Sequence, residues 1–327
     1  MRWFLVLLAI AAVSALILLA QPAPQPGPAA SSKLIVAATI FPLADWLREV
    51  GGADVEVHCL VSGGSNPHHF EPAIGDAVLL ARARALFAVG LGLDEWAQRL
   101  AVNSGRGREL AFLETGSWIK PLAFHEAATH LRASEAAAHR KEGVEVDLVH
   151  EHERGQYDPH YWLDPQRACA VVSRMARELS ALDPAHRDGY ERRAKVYLEK
   201  LKALDDDLTA RARGVPSGAQ IVSFHDAYGY LLDRLRIGLA AAIQTSPGVE
   251  PSARDASEAI RVMRQNGQRV VFQEPMDSSQ AARTIAQELG ASLQVLDPLD
   301  NEASSVGKTY LERVRHDINV LADAVAK

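Results

Sequence analysis

The sequence predicts an α/β protein with two lobes joined by one long helix. Short apolar segments of strand type alternate with helical patterns between residues 34 and 92, and a second series of the same kind begins after residue 218. Near-continuous apolar strands separated by amphipathic helices are typical of parallel sheets with helices on both faces. A chain of 327 residues is long enough for two lobes of ordinary size.

The predicted strands fall into two groups. In the first lobe they are "LIVAATI", "VEVHCLV" and "ALFAVGLG", and the helical patterns "PLADWLREVGG" and "EPAIGDAVLLARARA" lie between them. In the second lobe they are "AQIVSF", "IGLAAAIQ", "RVVFQE" and "SLQVLD". We therefore predict an N-terminal lobe over residues 33–182 and a C-terminal lobe over 217–327.

A linking helix is predicted over residues 183–216. Asp183 and Pro184 suit a helix start, and Gly214–Pro216 suit its end. At ~1.5 Å per residue it would form a rod of roughly 45 Å. Such a helix should let the lobes move little. Its predicted buried stripe comprises Tyr190, Ala194, Tyr197, Leu201, Leu204 and Leu208.

Residues 1–32 differ from the rest of the chain. One arginine precedes an apolar run over residues 3–20, and a Pro-rich spacer follows. This pattern predicts export to the periplasm or another extracytoplasmic compartment, with the segment either cleaved as a signal peptide or kept as a membrane anchor. The net charge of −6 and the absence of long basic runs argue against nucleic-acid binding. Cys59 and Cys169 could pair in such a compartment or be buried separately, and both alternatives stay open.

Residues 119–157 have no clear helical or strand period and carry five histidines. Long irregular loops are commonly functional or disordered. We predict a flap that holds metal loosely over the cleft, and the alternative is a solvated insertion without a role.

Four side chains near predicted strand ends are candidate metal ligands. His68 lies in "NPHHFEP", His160 in "DPHYWLDP", His225 in "FHDAYGY" and Asp297 in "LDPL". Ligands bind at the carboxyl ends of strands in open α/β sheets. Three imidazoles and one carboxylate form a complete tetrahedral set for a divalent metal. Taken singly, a histidine near a strand end is more often a hydrogen-bonded structural residue than a ligand, and an aspartate before proline, such as Asp297, is more often a turn or cap residue.

Together with "FQEP", and in this order, these motifs resemble the zinc- and manganese-specific solute-binding proteins of ABC importers. The resemblance covers about residues 33–327. It implies two lobes, each a four-stranded parallel sheet with flanking helices, joined by a rigid helix. It also places the family's metal ligands on His68, His160, His225 and Asp297. Zinc-type relatives often have a denser histidine tract than the segment 119–157.

The predicted function is therefore an extracytoplasmic receptor, expected to be monomeric, that passes Zn²⁺ to an inner-membrane permease with its ATPase. Histidine at 225 favours Zn²⁺ over Mn²⁺, which stays possible, and binding should weaken below about pH 6 as imidazole is protonated. Alternatives are a zinc hydrolase or a metal-binding surface adhesin on the same scaffold. Hydrolysis is disfavoured because the histidines of "HEAATH" are five residues apart and not four. We therefore expect no enzymatic activity.

Overall fold

The computed structural model describes residues 33–106, 109–123, 157–244, 251–275 and 279–326. The predicted export segment 1–32 and most of the predicted histidine-bearing flap, residues 124–156, lie outside these ranges. Within them, no helix combines the length and the apolar character needed to cross a bilayer.

The first half of the chain contains one parallel sheet. Its strands are β1 (Leu34–Ala38), β2 (Val55–Cys59), β3 (Ala85–Ala88) and β4 (Ala111–Glu114), in the order β2-β1-β3-β4. Helices α1 (Phe41–Gly51), α2 (Ile74–Leu80) and α3 (Glu95–Asn103) connect the strands, and α4 (Pro165–Leu182) follows. The four-stranded parallel sheet predicted for this lobe is therefore present.

The second half has its four predicted strands in two hydrogen-bonded pairs. Strands β5 (Gln220–Ser223) and β6 (Gly238–Ala242) form one parallel pair, and β7 (Val270–Gln273) and β8 (Ser292–Val295) form the other. The helices of this half are α6 (Gly229–Leu235), α7 (Ala253–Asn266), α8 (Gln280–Leu289) and α9 (Tyr310–Val325). A continuous four-stranded sheet was predicted for this half. Among the described residues, β5 and β7 are not paired, so the sheet is split into two pairs of strands.

A side chain bridges that division. The Gln268 amide oxygen accepts a hydrogen bond from Val222 N at 2.6 Å, and its nitrogen donates to the carbonyls of Val222 and Val270 at 3.1 and 2.6 Å. Val222 lies on β5 and Val270 begins β7. Gln268 therefore supplies hydrogen bonds that a backbone ladder would otherwise make.

The long helix, α5 (Arg187–Ala212), begins four residues after the predicted start at 183 and ends four residues before the predicted end at 216. Pro184–His186 form a 3₁₀ turn, and the Asp183 carboxylate accepts hydrogen bonds from the His186 ring at 2.6 Å and the Tyr190 hydroxyl at 2.7 Å. The helix spans ~39 Å at the usual rise per residue. All six residues of its predicted stripe are buried.

One apolar cluster runs through both halves of the chain and along α5. It includes Trp46, Trp162, Leu201, Leu231 and Leu321, and the described residues from Leu34 onward form one compact unit. Two smaller clusters cover the outer faces of the strands, one around Leu86 and one around Met263. Cys59 and Cys169 both have free thiols. The predicted lobes are thus two halves of a unit whose core crosses the lobe boundary.

Candidate metal centre

His68 is held in a short 3₁₀ turn, Pro67–His69, beyond the end of β2. Asn66 precedes the turn, and its side-chain oxygen accepts from the backbone N–H of His68 at 2.8 Å. Proline suits the next position because its missing N–H needs no partner in a first helical turn. On the other side, the Trp96 indole donates to the Pro67 carbonyl at 2.9 Å. The turn is fixed from two directions, with His68 half-buried and His69 exposed.

His160 is buried at the start of the turn Tyr161–Leu163, ahead of α4. Oδ1 of Asp158 accepts from the His160 backbone N–H at 2.8 Å and lies 2.7 Å from ring Nδ1. An ionised carboxylate can only accept, so Nδ1 carries the proton and Nε2 presents its lone pair. Carboxylates commonly orient metal-binding histidines in this way.

His225 is buried two residues beyond β5. Its Nδ1 lies 3.2 Å from an oxygen of Glu274, which directly follows β7. Burial lowers the pKa of His225, but the hydrogen bond and charge of Glu274, with the charges of Asp300 and Asp226, outweigh it and raise the pKa above its ordinary value. Two of the three predicted histidines therefore have a carboxylate at Nδ1.

The structure brings the three histidines together. One ring nitrogen of each lies within 4.8 Å of the other two. The ring centroids are 5.6 Å apart for His68 and His160, 5.7 Å for His68 and His225, and 5.4 Å for His160 and His225. Tetrahedral zinc with ordinary Zn–N bonds needs nitrogens about 3.3 Å apart. The rings can reach this spacing by a shift of about an ångström or two.

The fourth predicted ligand, Asp297, is not part of this group. Its carboxylate forms a two-point ion pair with Arg313, whose Nε and Nη2 lie 2.7 and 2.8 Å away. The same carboxylate accepts from the Ser304 hydroxyl at 2.6 Å and from the Leu299 N–H at 2.8 Å. Four donors leave little room for a metal, so the geometry assigns Asp297 to holding its loop. Its role as a ligand stays a prediction that this arrangement disfavours.

Two further carboxylates lie near His225 and were not among the predicted ligands. They are Glu274 and the buried Asp300, whose pKa rises to about 7, chiefly through burial and then through the charge of Glu274. The Trp162 indole donates to the Pro298 carbonyl at 2.7 Å and so holds the loop that carries Asp300. Glu274 could have been found as the acidic residue directly after a strand in "FQEP", and Asp300 as the second aspartate of "LDPLD".

Two α/β halves that place three histidines from separate segments around one point define a metal-binding protein. The chain matches the family described as ZnuA, zinc-uptake complex component A, periplasmic, over residues 36–324, and it belongs to that family. The family is described as a component of a zinc-uptake complex, which favours a receptor over the zinc-hydrolase alternative.

Individual relatives agree with this membership. The chain is 27% identical to the zinc-binding protein AdcA of Streptococcus pyogenes over 295 residues, which cover 89% of this chain and 56% of AdcA. This chain thus spans about half the length of that relative. A crystal structure of ZnuA is similar with a TM-score of 0.72 and 24% identity, covering 90% of this chain and all of ZnuA. The Mn²⁺ complex of FpvC from Pseudomonas aeruginosa is similar with a TM-score of 0.71 and 25% identity, covering 90% of this chain and 98% of FpvC.

Proposed function

We propose that this protein is an extracytoplasmic receptor that captures Zn²⁺ through His68, His160 and His225 and delivers it to a membrane permease with its ATPase. The observation that carries the proposal is the convergence of three imidazoles from the two halves of the chain. Binding between two halves suits a receptor because release needs only that one set of ligands be displaced. The protein acts as a monomer that is exported by residues 1–32.

The donor set favours zinc over manganese. Three imidazole nitrogens suit Zn²⁺, whereas Mn²⁺ prefers more oxygen donors. The Glu274 carboxylate lies 3.2 Å from the His225 ring, and a carboxylate beside the histidines attracts a cation of either kind. Mn²⁺ is therefore expected to bind more weakly at the same point.

Equilibrium competition with a chromophoric zinc chelator tests capture. We expect one tight zinc site in the wild type, and we expect His225→Ala to lower the zinc affinity at least about a hundredfold. His58→Ala is the matched control, because His58 is a part-exposed histidine paired with Glu56 on β2. Equal zinc affinity of His225→Ala and the wild type would refute the proposed site.

Delivery is tested by radioactive zinc uptake in cells that lack the gene and express each variant. We expect wild-type protein and His58→Ala to restore uptake at scarce zinc and His225→Ala to fail. Tight zinc binding without any effect on uptake would favour the surface-adhesin alternative.

A further inference from the structure

The described residues on either side of positions 124–156 lie together and contact the C-terminal half. Ala123 and Tyr157 form an antiparallel bridge, and the Asp158 N–H donates to the Leu122 carbonyl at 2.8 Å. The hydroxyl of Tyr230, on α6, accepts from the Leu122 N–H at 3.0 Å and donates to the Asp158 carbonyl at 2.7 Å. A single phenol therefore joins the two flanks of the segment.

Tyr230 is itself fixed in position. Its side chain is fully buried, and the Arg167 guanidinium stacks 4.5 Å from its ring centroid. Arg167 also donates to the Lys120 carbonyl at 3.2 Å, so it reaches the same flank of the segment. Burial raises the pKa of Tyr230 above its ordinary value, and its hydroxyl therefore keeps its proton at physiological pH.

Gly229, the residue before Tyr230, packs against the side-chain carboxylate of Asp158. A Cβ atom on Gly229 would lie 2.6 Å from Oδ2 of Asp158, closer than van der Waals contact allows. Asp158 is 3% exposed, and its other oxygen is the one that bonds the backbone and ring of His160. The missing side chain at 229 thus makes room for the carboxylate that orients His160.

We propose that Tyr230 and Gly229 are positioning residues that set the orientation of the His160 ring from the opposite half of the chain. The segment 225–230 then carries one proposed ligand, His225, and holds a second, His160, through Asp158. Displacing this one segment would loosen both imidazoles together, which couples the two halves during metal release. This inference rests on the proposed metal site.

Two substitutions test it, each with a matched control. Gly229→Ala pushes on Asp158, and Tyr230→Phe removes only the hydroxyl. Gly75→Ala is the control for the first, because Gly75 lies in α2 with open space where a Cβ would be. Tyr190→Phe is the control for the second, because the Tyr190 hydroxyl bonds Asp183 in the turn ahead of α5. Changes to groups that orient metal-binding histidines typically cost 10- to 100-fold in affinity.

We expect both test variants to weaken zinc binding about tenfold and to release zinc correspondingly faster. The controls should stay within about twofold of the wild type. Gly229→Ala should lower the unfolding temperature by a few degrees, because crowding a buried group costs about 1–3 kcal/mol, and zinc is therefore titrated at a temperature at which every variant is folded. Zinc affinity and release rate within twofold of the wild type in both test variants would overturn the inference.

A second measurement does not depend on metal. In metal-free protein labelled with ¹⁵N-histidine, the hydrogen-bonded Nδ1–H of His160 should give a downfield, slowly exchanging proton signal. In Gly229→Ala and Tyr230→Phe we expect it to shift upfield and exchange faster, whereas the controls leave it unchanged. An unchanged signal in both test variants would overturn the inference. Wild-type protein that binds no zinc would instead refute the proposed function.

Discussion

At the scale of single residues, the two aspartates of "LDPLD" have different partners: Asp297 pairs with Arg313, and Asp300 lies near Glu274 and His225. Asp297 and Arg313 are an ion pair with side chains 2% and 1% exposed. Asp300 lies in the same loop, and the charges of His225 and Glu274 affect its pKa. Sequence position could not show which aspartate forms the ion pair. Both aspartates follow β8, and Arg313 lies on α9. This is why strand ends indicated the three histidines that converge, whereas they could not decide which carboxylate lies beside them.

Substituting each aspartate by asparagine separates these tasks. Asp297→Asn leaves Arg313 buried without its partner charge, which should cost about 3 kcal/mol and lower the unfolding temperature by at least about 5 °C. Asp300→Asn should leave stability nearly unchanged and weaken zinc binding about tenfold. Calorimetric unfolding and zinc titration of both variants check this. A large loss of zinc affinity in a stable Asp297→Asn protein would restore Asp297 as the ligand.

The pH dependence of zinc binding should begin higher than an ordinary histidine would give. Protons and zinc compete for the same imidazole, and the pKa of His225 is raised. A larger fraction of His225 is then protonated at a given pH, so zinc affinity should begin to fall at a higher pH than an ordinary imidazole would give. Titrations between about pH 8 and 5.5 test this, with Glu274→Gln expected to move the onset to lower pH. A constant affinity across this range would contradict it.

At the scale of secondary structure, periodicity predicted seven of the eight described strands and located the long helix. Strand β4 (Ala111–Glu114) was missed because it is four residues long and half-buried, so its pattern is weak. The start of α5 was misplaced because the Asp183 side chain bonds His186 and Tyr190, a choice that sequence spacing does not reveal.

The division between β5 and β7 makes Gln268 a stabilising residue. Gln268→Ala removes three hydrogen bonds and should cost about 2 kcal/mol, or about 5 °C in unfolding temperature. Gln280→Ala is the control, since the exposed amide of Gln280 bonds the side chains of Thr284 and Arg283 on its own helix. Unfolding temperatures of the two variants within about 1 °C of each other would contradict this assignment.

At the scale of the whole molecule, several contacts join the two halves. Arg234 on α6 forms ion pairs with the buried Asp164 and with Asp205 on α5. Arg313 stacks 4.3 Å from the ring centroid of Phe41 on α1. Sequence indicated a stiff linking helix, but it could not show these pairs, because their partners are far apart in the chain.

These contacts and the shared core predict little movement of the halves on zinc binding. Breaking buried ion pairs and apolar packing to open a clamshell would be costly. Metal release should instead involve local displacement around His225. X-ray scattering curves of metal-free and zinc-bound protein should superimpose. Curves that differ by as much as those of an open and a closed clamshell would contradict a fixed arrangement.

The most direct test of the central claim is the position of bound zinc. Crystals of the zinc-loaded protein, measured on both sides of the zinc absorption edge, should show one strong anomalous peak about 2.0–2.1 Å from a ring nitrogen of each of His68, His160 and His225. We expect a carboxylate or water oxygen as the fourth neighbour. A single peak elsewhere, or one that contacts fewer than two of these histidines, would contradict the proposed metal centre.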